Sequence, residues 1–165
     1  MEIERKFLVK HLPENLEQYP HACLEQGYLC TAPVVRARKE GDRFVLTYKG
    51  KGLLEREEYN LPLTEEAYRH LIAKADGRII TKVRYRIPLP DGLTAELDLF
   101  AGELSGLTVI EVEFPDRARA LSFVPPEWFG ADVTMDGRYQ NSRLSDPSLP
   151  LPPFGPAAEK NILTP

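Results

Sequence analysis

Glu2 and Glu4, with Lys6 two residues further on, place two carboxylates and an ammonium on one side of an extended segment. Ile3, Arg5, Phe7 and Val9 fall on the other side. Two neighbouring carboxylates repel unless positive charge lies between them, and a hard divalent cation with a taste for oxygen ligands supplies it best. The same two-residue spacing recurs along the chain. Arg36 and Arg38 form a basic pair, and Lys82, Arg84 and Arg86 a basic triplet. Glu96 and Asp98, and Glu111 and Glu113, form acidic pairs. Lys49, Arg56 and Glu58 fall on the same faces. Arg and Lys suit phosphate oxygens, Arg by paired hydrogen bonds. Carboxylates suit a cation that also touches phosphate. A short polyanion chelated to magnesium or manganese meets both halves of the pattern.

Period two requires strands to carry these residues. Expected strands are Met1 to Lys10, Gln26 to Cys30, Val34 to Lys39, Arg43 to Lys49, Leu53 to Leu61, Ile79 to Ile87, Thr94 to Phe100 and Leu107 to Phe114. A last short strand is expected over Val133 to Arg138, aligning Asp136 with Arg138. Gly41-Asp42 and Asp91-Gly92 mark hairpin turns. Thr64 to Ala75 predicts a helix, with Thr64 as N-cap and Tyr68, Leu71, Ile72 and Ala75 as its apolar stripe. Short helical pieces are expected at Asn15 to Gln18, Asp116 to Leu121 and Pro125 to Trp128. The helix stripe must pack against the apolar strand faces, so helices belong outside and charges inside. The predicted fold is α+β but mainly β: an eight-stranded antiparallel closed barrel, a tunnel with a charged lumen and a few helices packed outside.

The chain has 165 residues, of which 42% are apolar and 28% charged, with a net charge of −4. This suits one domain and excludes a general nucleic-acid coat or a membrane-surface protein. No apolar run reaches a membrane span, and strand-like sequence begins at the second residue, so the expected location is the cytoplasm. Cys23 and Cys30 have neither redox nor zinc spacing and read as reduced, structural thiols; His11, His21 and His70 form no metal motif. Residues 1–146 are expected to form the domain. Residues 147–165, rich in proline, are expected to be a tail, disordered or laid along the surface.

Glu2-Ile3-Glu4-Arg5-Lys6, followed in order by Arg36-x-Arg38, Lys49-Gly50, Arg56-x-Glu58, Lys82-x-Arg84-x-Arg86, Glu96-x-Asp98 and Glu111-x-Glu113, resembles the CYTH domain, or triphosphate tunnel metalloenzyme, family. Gln26-Gly27-Tyr28-Leu29 and Arg138-Tyr139-x-Asn141 resemble its short bacterial members, which are mostly inorganic triphosphatases. The resemblance runs from Glu2 to about Leu144. Two departures stand out: Asn60 replaces a carboxylate found in several relatives, and the proline-rich tail replaces a C-terminal helical segment.

The resemblance implies metal-dependent hydrolysis of tripolyphosphate to pyrophosphate and phosphate. It implies substrate binding by Lys6, Arg36, Arg38, Lys49, Arg56, Arg84 and Arg86. Metal binding would fall to Glu2, Glu4, Glu58, Glu96, Asp98, Glu111 and Glu113, and water activation to a Tyr28–Lys82 pair. Like charges around Lys82 are expected to lower its pKa. The alternatives are a thiamine or nucleoside triphosphatase, a class IV-type adenylyl cyclase, and a non-catalytic polyphosphate-binding module. Nucleic-acid and membrane partners are not expected, and a homodimer is left open.

Overall fold

The computed structural model describes residues 1–157, so the end of the expected tail, 158–165, lies outside the described residues. The strands are β1 (Glu2–Val9), β2 (His21–Thr31), β3 (Val34–Glu40), β4 (Arg43–Lys49), β5 (Glu55–Arg56), β6 (Glu58–Pro62), β7 (Asp76–Pro88), β8 (Thr94–Phe100), β9 (Thr108–Glu113) and β10 (Phe129–Asp132). The helices are α1 (Glu65–Ile72), α2 (Arg117–Ser122) and α3 (Asn141–Leu144). All strand pairs are antiparallel, in the order β10-β1-β9-β8-β7-β2-β3-β4-β6, with β5 paired to β1. The segment from β5 to β6 closes the ring, because β6 pairs with β4 and β5 with β1.

The fold class is the expected barrel, but the strand count and several boundaries differ. The Leu53–Leu61 strand is split at Glu57, with one half serving each side of the seam. β2 starts at His21, five residues before the expected Gln26, so its alternation continues up to Pro20. The expected strand at Val133–Arg138 does not form. Asp132 accepts from the Thr134 backbone N–H at 2.9 Å and Asp136 from that of Arg138 at 3.1 Å. These local bonds divert the backbone into a turn and a 3-10 helix over Gly137–Tyr139. Asp136 and Arg138 therefore pair with each other, and the strand here is β10, four residues earlier.

α1 packs outside on β2, β3 and β4 as its stripe required. The Thr64 hydroxyl accepts from the Ala67 N–H at 3.1 Å, an N-cap that fixes where the helix starts. Gly27 permits the close approach: a Cβ there would lie 2.7 Å from Ala75 and 2.8 Å from Ile72. Pro125–Trp128 contains only a turn at its end, and Trp128 packs edge-on against Phe129, centroids 4.6 Å apart. Cys23 and Cys30 are free and exposed, so they are not core residues.

The core has two parts. Phe7, Val9, Leu97, Ile110, Val112 and Phe129 pack on the outer face of the sheet beneath Phe123 of the α2 C-cap. The second part is inside. Leu8, Tyr28, Ile80, Phe100 and Val109 share the parity of the lumen charges, yet cluster with Val133, Tyr139 and Leu144. One end of the barrel is thus filled with apolar side chains, and the charges occupy the rest. Residues 147–157 lie against this end: Tyr139 Oη donates to the Pro153 carbonyl at 2.6 Å, and a Cβ on Gly155 would meet Leu8 at 3.3 Å.

Candidate active site

Strand register decides which charge faces which. Lys6 sits opposite Glu111 on β9, and Glu2 opposite Arg56 on β5. Lys49 sits opposite Glu58 on β6, while Arg84 and Arg86 sit opposite Asp98 and Glu96 on β8. These rows are complementary. Two rows are not: Glu4 faces Glu113, and Glu96 faces Glu111. Like charges directly opposite on adjacent strands destabilise a sheet. Here they fall together on β1, β9 and β8. The other wall, from β7 to β3, carries Lys82, Arg84, Arg86, Arg36 and Arg38. The lumen is therefore polarised, acidic on one side and basic on the other.

These side chains surround a cavity of about 180 Å³. The carboxylates Glu2, Glu4, Glu58, Glu96, Glu111 and Glu113 line it, as do the cations Lys6, Arg36, Arg38, Lys49, Arg56, Lys82, Arg84 and Arg86, and Tyr28. Asp98 alone of the residues singled out from the sequence does not line the cavity. It is fully buried: one oxygen lies 2.7 Å from Lys82 Nζ, and Arg84 binds both, at 2.8 Å through Nε and 2.9 Å through Nη2. It acts as an internal counter-ion, not as a group free to meet a ligand. Five further polar residues, assigned no role from the sequence, line the cavity: Gln26, Glu40, Gln140, Asn141 and Ser142. The first two continue the period of two from Tyr28 and from Arg38, so alternation alone would have found them. The other three lie on the loop and start of α3, where no strand period applies.

Ion pairs and hydrogen bonds tie the lumen side chains to one another. Lys49 Nζ donates to Glu2 at 3.0 Å, and Lys6 Nζ to the Tyr139 carbonyl at 3.1 Å. Glu40 receives Arg86 and lies 3.9 Å from Arg38. Burial raises the Glu2 pKa to about 8, helped by its hydrogen bond with Glu58 and by nearby Glu4. Burial also works to raise Glu58, but the bond with Glu2, Lys49 and Asn60 outweigh it and hold Glu58 at about 2. Burial and then Glu111 push Glu4 up; burial, Glu58 and Glu96 push Glu113 up. Glu96 is raised by burial in spite of Arg84. Glu111 goes the other way: burial opposes ionisation, but Lys6, Arg84 and Lys82 hold it well below the usual carboxylate range. Arg38 is lowered to about 10, by burial first and then by Arg36. Lys82 is lowered too, but the expected cause is corrected. Burial is the main one, Asp98 opposes it, and Arg84 contributes less.

The carboxylates test whether a divalent cation fits. Among the described residues no three acidic, His or Cys side chains converge as a ready-made cage. Their chemistry nevertheless suits one. Glu4, Glu96 and Glu113 stand in the two like-charged rows, and burial first, with neighbouring carboxylates adding to it, raises their pKa values and that of Glu2. A divalent cation held there would offset the repulsion and displace the protons.

An antiparallel barrel, nearly closed, with opposed acidic and basic walls around a small cavity defines a class of protein built to enclose a polyanion. The chain belongs to the CYTH domain family, whose model matches residues 1–123. It is similar to the inorganic triphosphatase of Nitrosomonas europaea, 43% identical in an alignment 148 positions long that covers 87% of this chain and 96% of that one. It is also similar to the inorganic triphosphatase of Acetivibrio thermocellus, 37% identical in an alignment 155 positions long that covers 87% of this chain and 92% of that one. The crystal structure of the inorganic triphosphatase NE1496 superposes with a TM-score of 0.67 at 40% identity, covering 91% of this chain and 97% of that one.

Proposed function

We propose that the chain is an inorganic triphosphatase that hydrolyses tripolyphosphate to pyrophosphate and phosphate with magnesium, or manganese in its place. The observation that carries this reading is the polarised lumen, with like-charged carboxylate rows facing five clustered cations. The relatives named above support it. So does the cavity lining, which apart from Val34 and Tyr28 is polar or charged throughout. That surface offers a nucleobase or a thiazole ring little to pack against, and so favours a substrate that is all phosphate.

Arg36, Arg38, Arg84 and Arg86 would bind phosphate oxygens, with Lys6, Lys49 and Arg56 neutralising charge from the adjoining strands. Glu2, Glu4, Glu58, Glu96, Glu111 and Glu113 would hold the cation, Asp98 being occupied by Lys82 and Arg84. A bound divalent cation would screen the phosphoryl charge and stabilise the charge growing on the leaving pyrophosphate. The oxygen of a water bonds to the terminal phosphorus, the bridging P–O bond breaks, and its electron pair leaves on pyrophosphate. The water's proton goes to Lys82 Nζ, which burial pushes toward its neutral form, with Tyr28, which lines the same cavity, as the second member of the pair. Cytoplasmic location and the absence of nucleic-acid and membrane partners belong to the same reading. No helix among the described residues is long and apolar enough to cross a membrane.

A substrate panel tests it. Tripolyphosphate, ATP and thiamine triphosphate are each offered with magnesium and with manganese, and free phosphate and cyclic nucleotide are measured. Fast phosphate release from tripolyphosphate is expected. Cyclic product from ATP would make the chain a cyclase, and tight metal-dependent binding without turnover would make it a sensor.

A further inference from the structure

Gln26 lies on β2, directly opposite Arg38 on β3 and two residues from Tyr28. It is 1% exposed and lines the cavity, yet neither its Oε1 nor its Nε2 has a hydrogen-bond partner. A buried amide left unpaired at both ends is destabilising where an apolar side chain of the same shape is not. Arg36 Nε and Arg38 Nε share the deficit, being buried without partners on the next strand. Three side chains on two adjacent strands thus hold unused polar atoms in the wall of one cavity. A second observation singles out Gln26 among them. Arginine and lysine only donate and carboxylates only accept, whereas an amide does both from one planar group. Phosphate oxygens can satisfy Nε2 and the arginine Nε atoms. They cannot satisfy Oε1, which needs a donor, and a water held against the terminal phosphoryl group is one.

Resting on the triphosphatase reading, we infer that Gln26 is a positioning residue for the attacking water. Its Nε2 donates to an oxygen of the terminal phosphoryl group and its Oε1 accepts from the water. It takes no proton, and bond formation, bond breaking and proton transfer remain as described above. Its contribution is to hold the water oxygen in line with the bond to be broken. The unpaired amide is then a stability cost maintained for catalysis.

The test uses the full chain and two variants, Gln26→Met and Gln26→Glu. Phosphate release from tripolyphosphate is followed with magnesium, and thermal unfolding without metal. Gln26→Met keeps the volume and removes the unpaired amide, so it should unfold at or above the wild-type temperature. Its kcat should fall on the order of 100-fold, with KM changing by less than about threefold. Gln26→Glu keeps an acceptor but sets a negative charge beside phosphate, so its KM should rise. The inference is overturned if Gln26→Met keeps kcat within about threefold of wild type. It is overturned equally if activity and unfolding temperature fall together, since the amide is then structural. A wild-type chain that releases no phosphate from tripolyphosphate removes the parent reading and this one with it. A working wild type beside a working Gln26→Met removes this one alone.

Discussion

Lys82 Nζ lies 2.7 Å from a carboxylate oxygen of Asp98, and both side chains are withdrawn from solvent. Arg84 binds the same carboxylate through two nitrogens. Asp98 thereby sets the position of two cations on the basic wall without facing the cavity. Removing one partner of such a buried cluster leaves uncompensated charge. Asp98→Asn should therefore lower unfolding stability by roughly 3 kcal/mol, read by chemical denaturation at neutral pH. A stability close to wild type would show that Lys82 and Arg84 find other partners.

Proton transfer to Lys82 predicts the behaviour of Lys82→Arg. Arginine keeps the positive charge but cannot give up its proton in this range. The variant should lose on the order of 100-fold or more in turnover and lose the rise of rate toward alkaline pH. Both features surviving in a pH–rate profile would show that Lys82 only binds phosphate.

The acidic wall predicts how pH and metal act on stability. The Glu2 pKa is raised from its ordinary 4.5 to about 8, so between these values the folded chain holds a proton that the unfolded chain has released. Stability from this group is full below the unfolded pKa and is lost as pH rises toward 8. Glu4, Glu96 and Glu113 shift in the same direction. Glu58 and Glu111 are depressed, so their contribution is lost only as pH falls below the ordinary carboxylate range. Metal-free protein should therefore melt lower at pH 8 than at pH 6, and added magnesium should stabilise it more at the higher pH. Thermal unfolding at both pH values, with and without magnesium, checks the sign.

Replacing an acidic ligand should separate function from folding. Glu2→Ala and Glu4→Ala each remove a carboxylate whose ionisation burial opposes, so the fold should survive while metal-dependent turnover is abolished. Near-normal activity in either variant, with native circular dichroism, would remove that residue from the metal site.

The last described segment reaches the site through Tyr139. Its hydroxyl binds Pro153, while its carbonyl accepts from Lys6 Nζ. Ala157 is buried in the outer core, and Phe154 packs on the inner apolar cluster. Truncation after Asp146 should cost roughly 2 kcal/mol or more from the apolar surface exposed, and should raise KM by loosening Lys6. An unchanged denaturation midpoint and KM would make the segment a passive tail.

Alternation along each strand was legible from residues alone. Glu4 and Lys6 had to share a side, as did Lys82, Arg84 and Arg86, because successive side chains on a strand point to opposite faces. The amphipathic helix then left only the apolar sheet face for packing, which turned the charges inward and made the barrel readable. Register was not legible, since it depends on how distant strands align and not on spacing within any one of them. Only the folded chain sets Glu4 against Glu113 and Glu96 against Glu111, buries Asp98 between Lys82 and Arg84, and fills one end of the lumen with Leu8, Ile80 and Phe100. Local hydrogen bonds at Asp132 and Asp136 likewise outcompeted a strand that alternation favoured. The sequence by itself determined which side chains could face inward. The tertiary structure decided which of them meet, because the energy of a charge in a barrel depends on what stands across from it.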